Sequence, residues 1–245
     1  MALPPDAITT IVRYQDQVAA VRQRVLAFVR RSYGNLNSWR AADIDRFVAA
    51  VVPVVSGGQI RVAALTDNYL AAIQTQLVGG GAILGIPPEL VSDETMRGVP
   101  AAEVYRRTGS TIYGALSRGE PLQSAVNSGL ARAVAMAAID LQLATTHTSR
   151  YVGTRNDRII GYRRVLSASA CSLCSESTAM FAADELLPTH NFCTCSSAPV
   201  FAGGPDPGET PVRSTGGEDR GTPQVQHHGE LGPILVVEDQ HFEDV

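Results

Sequence analysis

ACSLCSESTAMFAADELLPTHNFCTCSSAPV, residues 170–200, holds all four cysteines of the 245-residue chain. Their spacing is Cys171-x2-Cys174, then fifteen residues, then His190-x2-Cys193-x-Cys195. Two sulfurs two residues apart can grip one ion from a tight turn, and Zn2+ takes four nitrogen or sulfur ligands in a tetrahedron. The loop between the two halves is long enough to return the chain to the same ion. Cys171, Cys174, His190, Cys193 and Cys195 are therefore the candidate metal ligands, one more than a tetrahedron needs. Cys193 and Cys195 share a face if that segment is extended. The first expectation is Cys171, Cys174, His190 and Cys193, with Cys195 the spare or the true fourth. Free thiols that merely pack, or a disulfide, are the alternatives.

A catalytic zinc keeps an open position beside an acid or base. Glu176 and Asp184 lie within the stretch. The zinc-deaminase order of motifs and the His-Glu-x-x-His pair are both absent. A cysteine-rich shell that fills every position points to a closed structural zinc. No catalytic or cofactor-binding residue is nominated elsewhere. His147, in Thr145-Thr-His-Thr-Ser149, has no partnered acid or nucleophile elbow in the sequence, and His227, His228 and His241 have no metal spacing.

Working outward, the chain changes character at Asn156. Upstream, apolar residues recur at helical spacing. Ile8, Ile11, Val18, Val21, Val25 and Phe28 mark a helix from Asp6 to Arg31, stopped near Tyr33-Gly34-Asn35. A second helix is expected from a Ser38 cap through Phe47 toward Pro53, and a third over Gln59–Leu77. Gly79-Gly80-Gly81 lacks the lysine and preceding strand of a phosphate loop and reads as a turn. Helices resume over Pro100–Ser117 and Leu122–Tyr151. Downstream, the β-branched run Arg158–Leu166 and the segment Cys193–Phe201 read as strands, with a short helix around Ala182–Leu187. Residues 203–221 are linker-like, and Gly229–Glu238 is an apolar island expected to dock as a short extended segment, more readily on a partner than on its own chain. The fold class is thus mainly α. A helical domain (1–155) is followed by a small α+β zinc-binding module (156–202) and a flexible acidic tail (203–245).

Composition agrees with a globular chain: 44% hydrophobic and 18% charged residues. No apolar run approaches the roughly 20 residues of a membrane span. Met1–Asp6 shows no basic or apolar leader, so a reducing compartment is expected, where clustered cysteines bind metal more often than they pair. All basic residues are Arg. The helical part is mildly basic and the tail strongly acidic, so a nucleic-acid groove is permitted but not required.

These residues resemble a known family. Ala170-Cys171-Ser-Leu-Cys174, followed by Pro188-Thr-His190-Asn-Phe-Cys193-Thr-Cys195 and the strand to Val200, is similar to the C-terminal signature of Mu F-like phage head proteins. The Val99–Arg106 run, the long Ala-rich helix and His228-Gly229-Glu-Leu-Gly-Pro-Ile-Leu235 are similar in layout to such proteins of actinobacterial phages. Thr194 stands where the family often carries Arg. The resemblance implies a non-enzymatic minor capsid protein acting in head morphogenesis near the portal, in DNA packaging or ejection. It would be found in the host cytoplasm during assembly and then in the virion. Portal protein, major capsid protein and packaged DNA would be its partners, with no membrane and no small-molecule substrate. The alternatives are a capsid maturation protease and a zinc-ribbon-like adaptor or nucleic-acid-binding protein.

Overall fold

The computed structural model describes residues 3–167, 170–177, 179–190, 192–209 and 222–237. The helical body runs α1 (Pro5–Gly34), α2 (Ala41–Leu77), α3 (Asp93–Arg97), α4 (Ala101–Ser117) and α5 (Leu122–Gly153). Then follow β1 (Ile159–Val165), α6 (Ser172–Glu176), β2 (Met180–Ala182), β3 (Ser196–Phe201), β4 (Pro223–His228) and β5 (Gly232–Val237). The protein is mainly helical, with a small mixed unit behind the helices, as the periodicities predict.

Val25 and Val29 of α1, Phe47, Val51 and Val55 of α2, Tyr105 and Ile112 of α4, and Leu141 of α5 share one core. Gly58 lets three helices meet. A Cβ there would lie 2.8 Å from Val25 and 2.9 Å from Leu141 side-chain carbons, closer than carbon atoms pack.

Where two helices are expected over residues 38–77, the structure has one. Pro53 sits inside α2 and deprives the carbonyl of Ala49 of its helical donor. Both residues are exposed, so water can satisfy that carbonyl, and packing on either side holds the helix together. Arg40, not Ser38, is its N-cap, and Ser38 donates to the Asp43 carboxylate instead. By length and composition α2 could cross a bilayer. Its apolar stripe, Val48, Val51, Val55 and Val62, is buried in the bundle. The unforeseen α3 is too short to show periodicity. Ser92 caps it by accepting the Thr95 N–H at 3.3 Å, and Gly98 ends it at φ 72°.

The strands β2-β1-β3 form an antiparallel sheet in which Tyr162 faces Phe181 on one side and Pro199 on the other. The helix expected near Ala182–Leu187 is instead β2 and a turn, closed by Glu185 accepting the Ala182 N–H at 2.9 Å. The expected second strand begins only at Ser196. The sheet packs, through Ile159, Tyr162, Val165, Ala198 and Phe201, on Ile11 and Tyr14 of α1, Leu70 and Ile73 of α2, and Val152 of α5.

The apolar island does not await a partner. It is β5, hairpinned with β4 in the register Val225 to Leu235, and it lies on its own chain. Leu231, Ile234 and Val236 join the helical core, while Leu235 packs among the cysteines. Glu230 at the hairpin turn pairs with Arg107 at 2.7 Å and stands 3.8 Å from Arg97. Most of the expected linker, residues 210–221, and the acidic end, 238–245 with His241, lie outside the described residues.

A buried polar network crosses the bundle. Asp140 accepts Arg97 Nε at 2.7 Å and the Tyr105 hydroxyl at 2.6 Å. Gln59 donates to one oxygen of Asp93, and the other finds no partner among the described residues. Burial, reinforced by the Asp140 charge, pushes Asp93 up to about 7.

Two outcomes follow. Ile234 is 1% exposed, so Ile234→Ala should lower stability by about 2–5 kcal/mol. This would appear as a lower denaturant midpoint; an unchanged midpoint would mean the hairpin is not docked. Because the fold favours protonated Asp93, its contribution is complete below pH 3.8 and is lost as pH rises to about 7. Asp93→Asn should flatten that slope in pH-dependent melts, and parallel curves for both proteins would refute the assignment.

Candidate metal centre

The five sequence-nominated donors converge, and local backbone geometry explains how. Cys171 is the N-cap of α6, and its carbonyl accepts the N–H groups of Cys174 and Ser175, both at 3.1 Å. That turn puts two sulfurs on one side. His190 follows Thr189, whose N–H donates to the Pro233 carbonyl at 3.2 Å and whose carbonyl accepts the Leu235 N–H at 2.7 Å. A tight turn next brings the Cys193 N–H to the His190 carbonyl at 3.1 Å. Within it Phe192 adopts φ 60°, a left-handed conformation that is costly for a bulky residue. Cys195 sits just before β3.

The ligand atoms fall into two triads sharing one member. Cys171, Cys174 and His190 lie within 4.8 Å of one another, and so do Cys174, Cys193 and Cys195. His190 Nε2 is 3.3 Å from the Cys171 sulfur and 3.0 Å from that of Cys174. The Cys174 and Cys193 sulfurs are 3.6 Å apart. A disulfide requires about 2.05 Å, and all four cysteines are free. Tetrahedral zinc with bonds of about 2.3 Å to sulfur spaces its sulfurs by about 3.8 Å, close to what is seen. All five donors are buried, the cysteines between 1% and 8% exposed and His190 at 8%. The cluster can therefore hold a metal ion.

The electrostatics agree. The hydrogen bond to Cys193, then that to Cys195 and burial, push the Cys174 thiol far up. Hydrogen bonds from Cys174 and Cys195 pull Cys193 well down against the opposing effect of its burial. Cys195 is drawn down by Cys174 but pushed further up by Cys193 and burial, to about 12. Three crowded sulfurs thus hold protons between them, and a divalent cation replaces those protons with one shared charge.

Residues the sequence did not nominate surround the cluster. Arg164 of β1 points its Nη1 at the sulfurs of Cys193, 3.6 Å away, and Cys174, 3.8 Å away, while Nη2 donates to the Pro188 carbonyl. Arg22 of α1 donates to the Cys193 carbonyl and, at 2.9 Å, to Gln142, which in turn donates to the Cys195 carbonyl at 3.4 Å. Thr194 meets Ser167 at 2.7 Å. One signal was available. In the adjacent pair Arg163-Arg164 of a strand, alternation must turn one guanidinium inward. Arg163 pairs with Asp206 at 2.9 Å, so Arg164 is the inward one.

The other titratable residues weighed in the sequence are not among the clustered donors. Glu176 and Asp184 are exposed. His147 on α5 has an Nε2 with no partner among the described residues, and burial followed by the Arg150 charge lowers it to about 4. His228 Nδ1 accepts the Glu230 and Leu231 N–H groups at 3.1 and 3.2 Å, closing the β4–β5 turn. The chain matches no protein-family profile, no curated protein and no solved structure.

Cys174 belongs to both triads, so Cys174→Ser should abolish metal uptake, whereas Cys195→Ser, at the edge, should retain part of it. Metal per chain after dialysis, with thiol titration of the native protein, checks the order; equal retention by both would refute it.

Proposed function

We propose that the chain is a structural assembly protein whose Cys/His centre holds one zinc ion as a staple. The observation that carries this reading is the burial of every donor. A hydrolytic zinc needs a position open to water and substrate, whereas a dry cysteine-rich shell suits a closed one. Zinc fits the donor set because thiolate and imidazole together favour it over magnesium or calcium, which take oxygen ligands. In this reading the ion ties α6, the 188–195 turn and β3 into one unit against α1, α5 and the terminal hairpin. With the metal absent, the segments carrying the donors lose their common tether, and zinc binding contributes folding free energy.

The biological setting we propose is the phage head. The support is the Cys-x-x-Cys and Pro-x-His-x-x-Cys-x-Cys resemblance, together with the helical layout upstream of it. The protein would join the head beside the portal during assembly, contacting portal and major capsid proteins, and remain in the virion. Co-production with the portal and capsid proteins of its own genome tests this. Wild-type protein should co-sediment with heads and carry about one zinc per chain, while Cys174→Ser should be excluded. Heads that never contain the protein would overturn the setting. Capsid protein trimmed in a manner that survives zinc removal would point to a maturation protease instead.

A further inference from the structure

Two guanidinium groups beside the cysteines have no carboxylate partner among the described residues. Arg164 is 4% exposed and Arg22 7%, and among the described residues neither forms an ion pair with Asp or Glu. Among those residues the Nε of each also finds no partner. Arg97, equally buried, shows what the fold does when it can, for it meets Asp140 through two of its nitrogens. A buried cation without an anion is strongly unfavourable, because desolvation is not repaid. The groups within reach that can carry negative charge are the sulfurs. Arg164 Nη1 touches two of them at 3.6 and 3.8 Å. Arg22 is held by Gln142 against the Cys193 carbonyl.

We propose that Arg164 and Arg22 are the built-in counter-cations of a metal–thiolate centre, Arg164 acting directly on the Cys174 and Cys193 sulfurs and Arg22 on the loop that carries Cys193. The charge count requires them. A divalent ion with three thiolates and a neutral imidazole bears one negative charge, and with four thiolates two. Buried in the fold, that charge needs partners, and the two arginines supply them. At least three cysteines therefore bind as thiolates, and both arginines are positioning residues rather than ligands. The inference rests on the metal reading above.

Arg164→Gln removes the charge while keeping a donor near Pro188, and Arg164→Lys keeps the charge without the fork. Zinc affinity would be measured by competition with a chromophoric chelator, and melting temperatures with zinc and after chelation. Arg164→Gln should weaken zinc binding by about 10–100-fold, the range for groups that support metal ligands, and Arg164→Lys should recover most of it. With zinc, Arg164→Gln should melt below wild type. After chelation it should melt at or above wild type, because the unpaired buried cation is gone. A purely architectural arginine would destabilise both forms alike, and that result, or unchanged affinity, overturns the proposal. Arg22→Gln should show the same crossing of stabilities with a smaller loss of affinity, which keeps the test open if Arg164→Gln folds poorly. A wild-type chain that takes up neither zinc nor cobalt would sink the metal reading itself, and this proposal with it.

Discussion

Eleven consecutive residues of α5, from Met136 to Thr146, are buried, and a helix with no solvent face must satisfy every polar side chain from its neighbours. Asp140 draws in Arg97 of α3 and Tyr105 of α4. Gln142 draws in Arg22 of α1 and the Cys195 carbonyl. Ser149 meets the Ser197 hydroxyl of β3 at 2.9 Å, and its carbonyl accepts the Tyr162 hydroxyl of β1 at 2.5 Å. Successive polar positions along one helix thus specify what packs around it, first the bundle, then the cysteine loop, then the sheet. Apolar contacts supply most of the driving force, but they are non-directional. The polar pairs choose among packings, because a mismatched arrangement would strand a buried charge or amide.

How much of this was legible depends on the range of the interaction that decides each element. Long amphipathic helices such as α1, α4 and α5 announce themselves within their own residues, and so does β1. Pro53 misleads because its tolerance depends on Ala49 and Pro53 facing water, which is a property of the assembled bundle. The five residues of α3 are set by a Ser92 cap and a left-handed Gly98, signals too brief for periodicity. The destination of β5 was invisible because its partners lie far away in the chain: Thr189 and the helical core. An apolar island after a polar stretch reads the same whether it docks on its own chain or on another.

The Cys/His cluster was the most legible part, since donors spaced two residues apart fall on one side of a single turn. Its surroundings were not. Arg22 lies 171 residues from the carbonyl it holds, and Gln142 lies on a helix whose amide could equally face solvent. Only Arg164 left a trace, through the alternation of β1. Sequence spacing reports on donors, which are local, whereas the groups that tune a donor's charge are recruited by the fold.

Thr189 shows how closely the centre and the tail are joined. Its main chain bonds to Pro233 and Leu235 on β5 in both directions, its neighbour Pro188 accepts Arg164, and its other neighbour is the donor His190. On the hairpin, Leu235 faces the cysteines while Ile234 and Val236 face the helices, the alternation a strand imposes. One strand therefore seals the centre from water with one face and closes the bundle with the other. Two main-chain hydrogen bonds thus couple the 188–190 turn to β5. Because such coupling is reciprocal, anything that binds the donors also favours the docked hairpin, and a docked hairpin keeps the donors gathered.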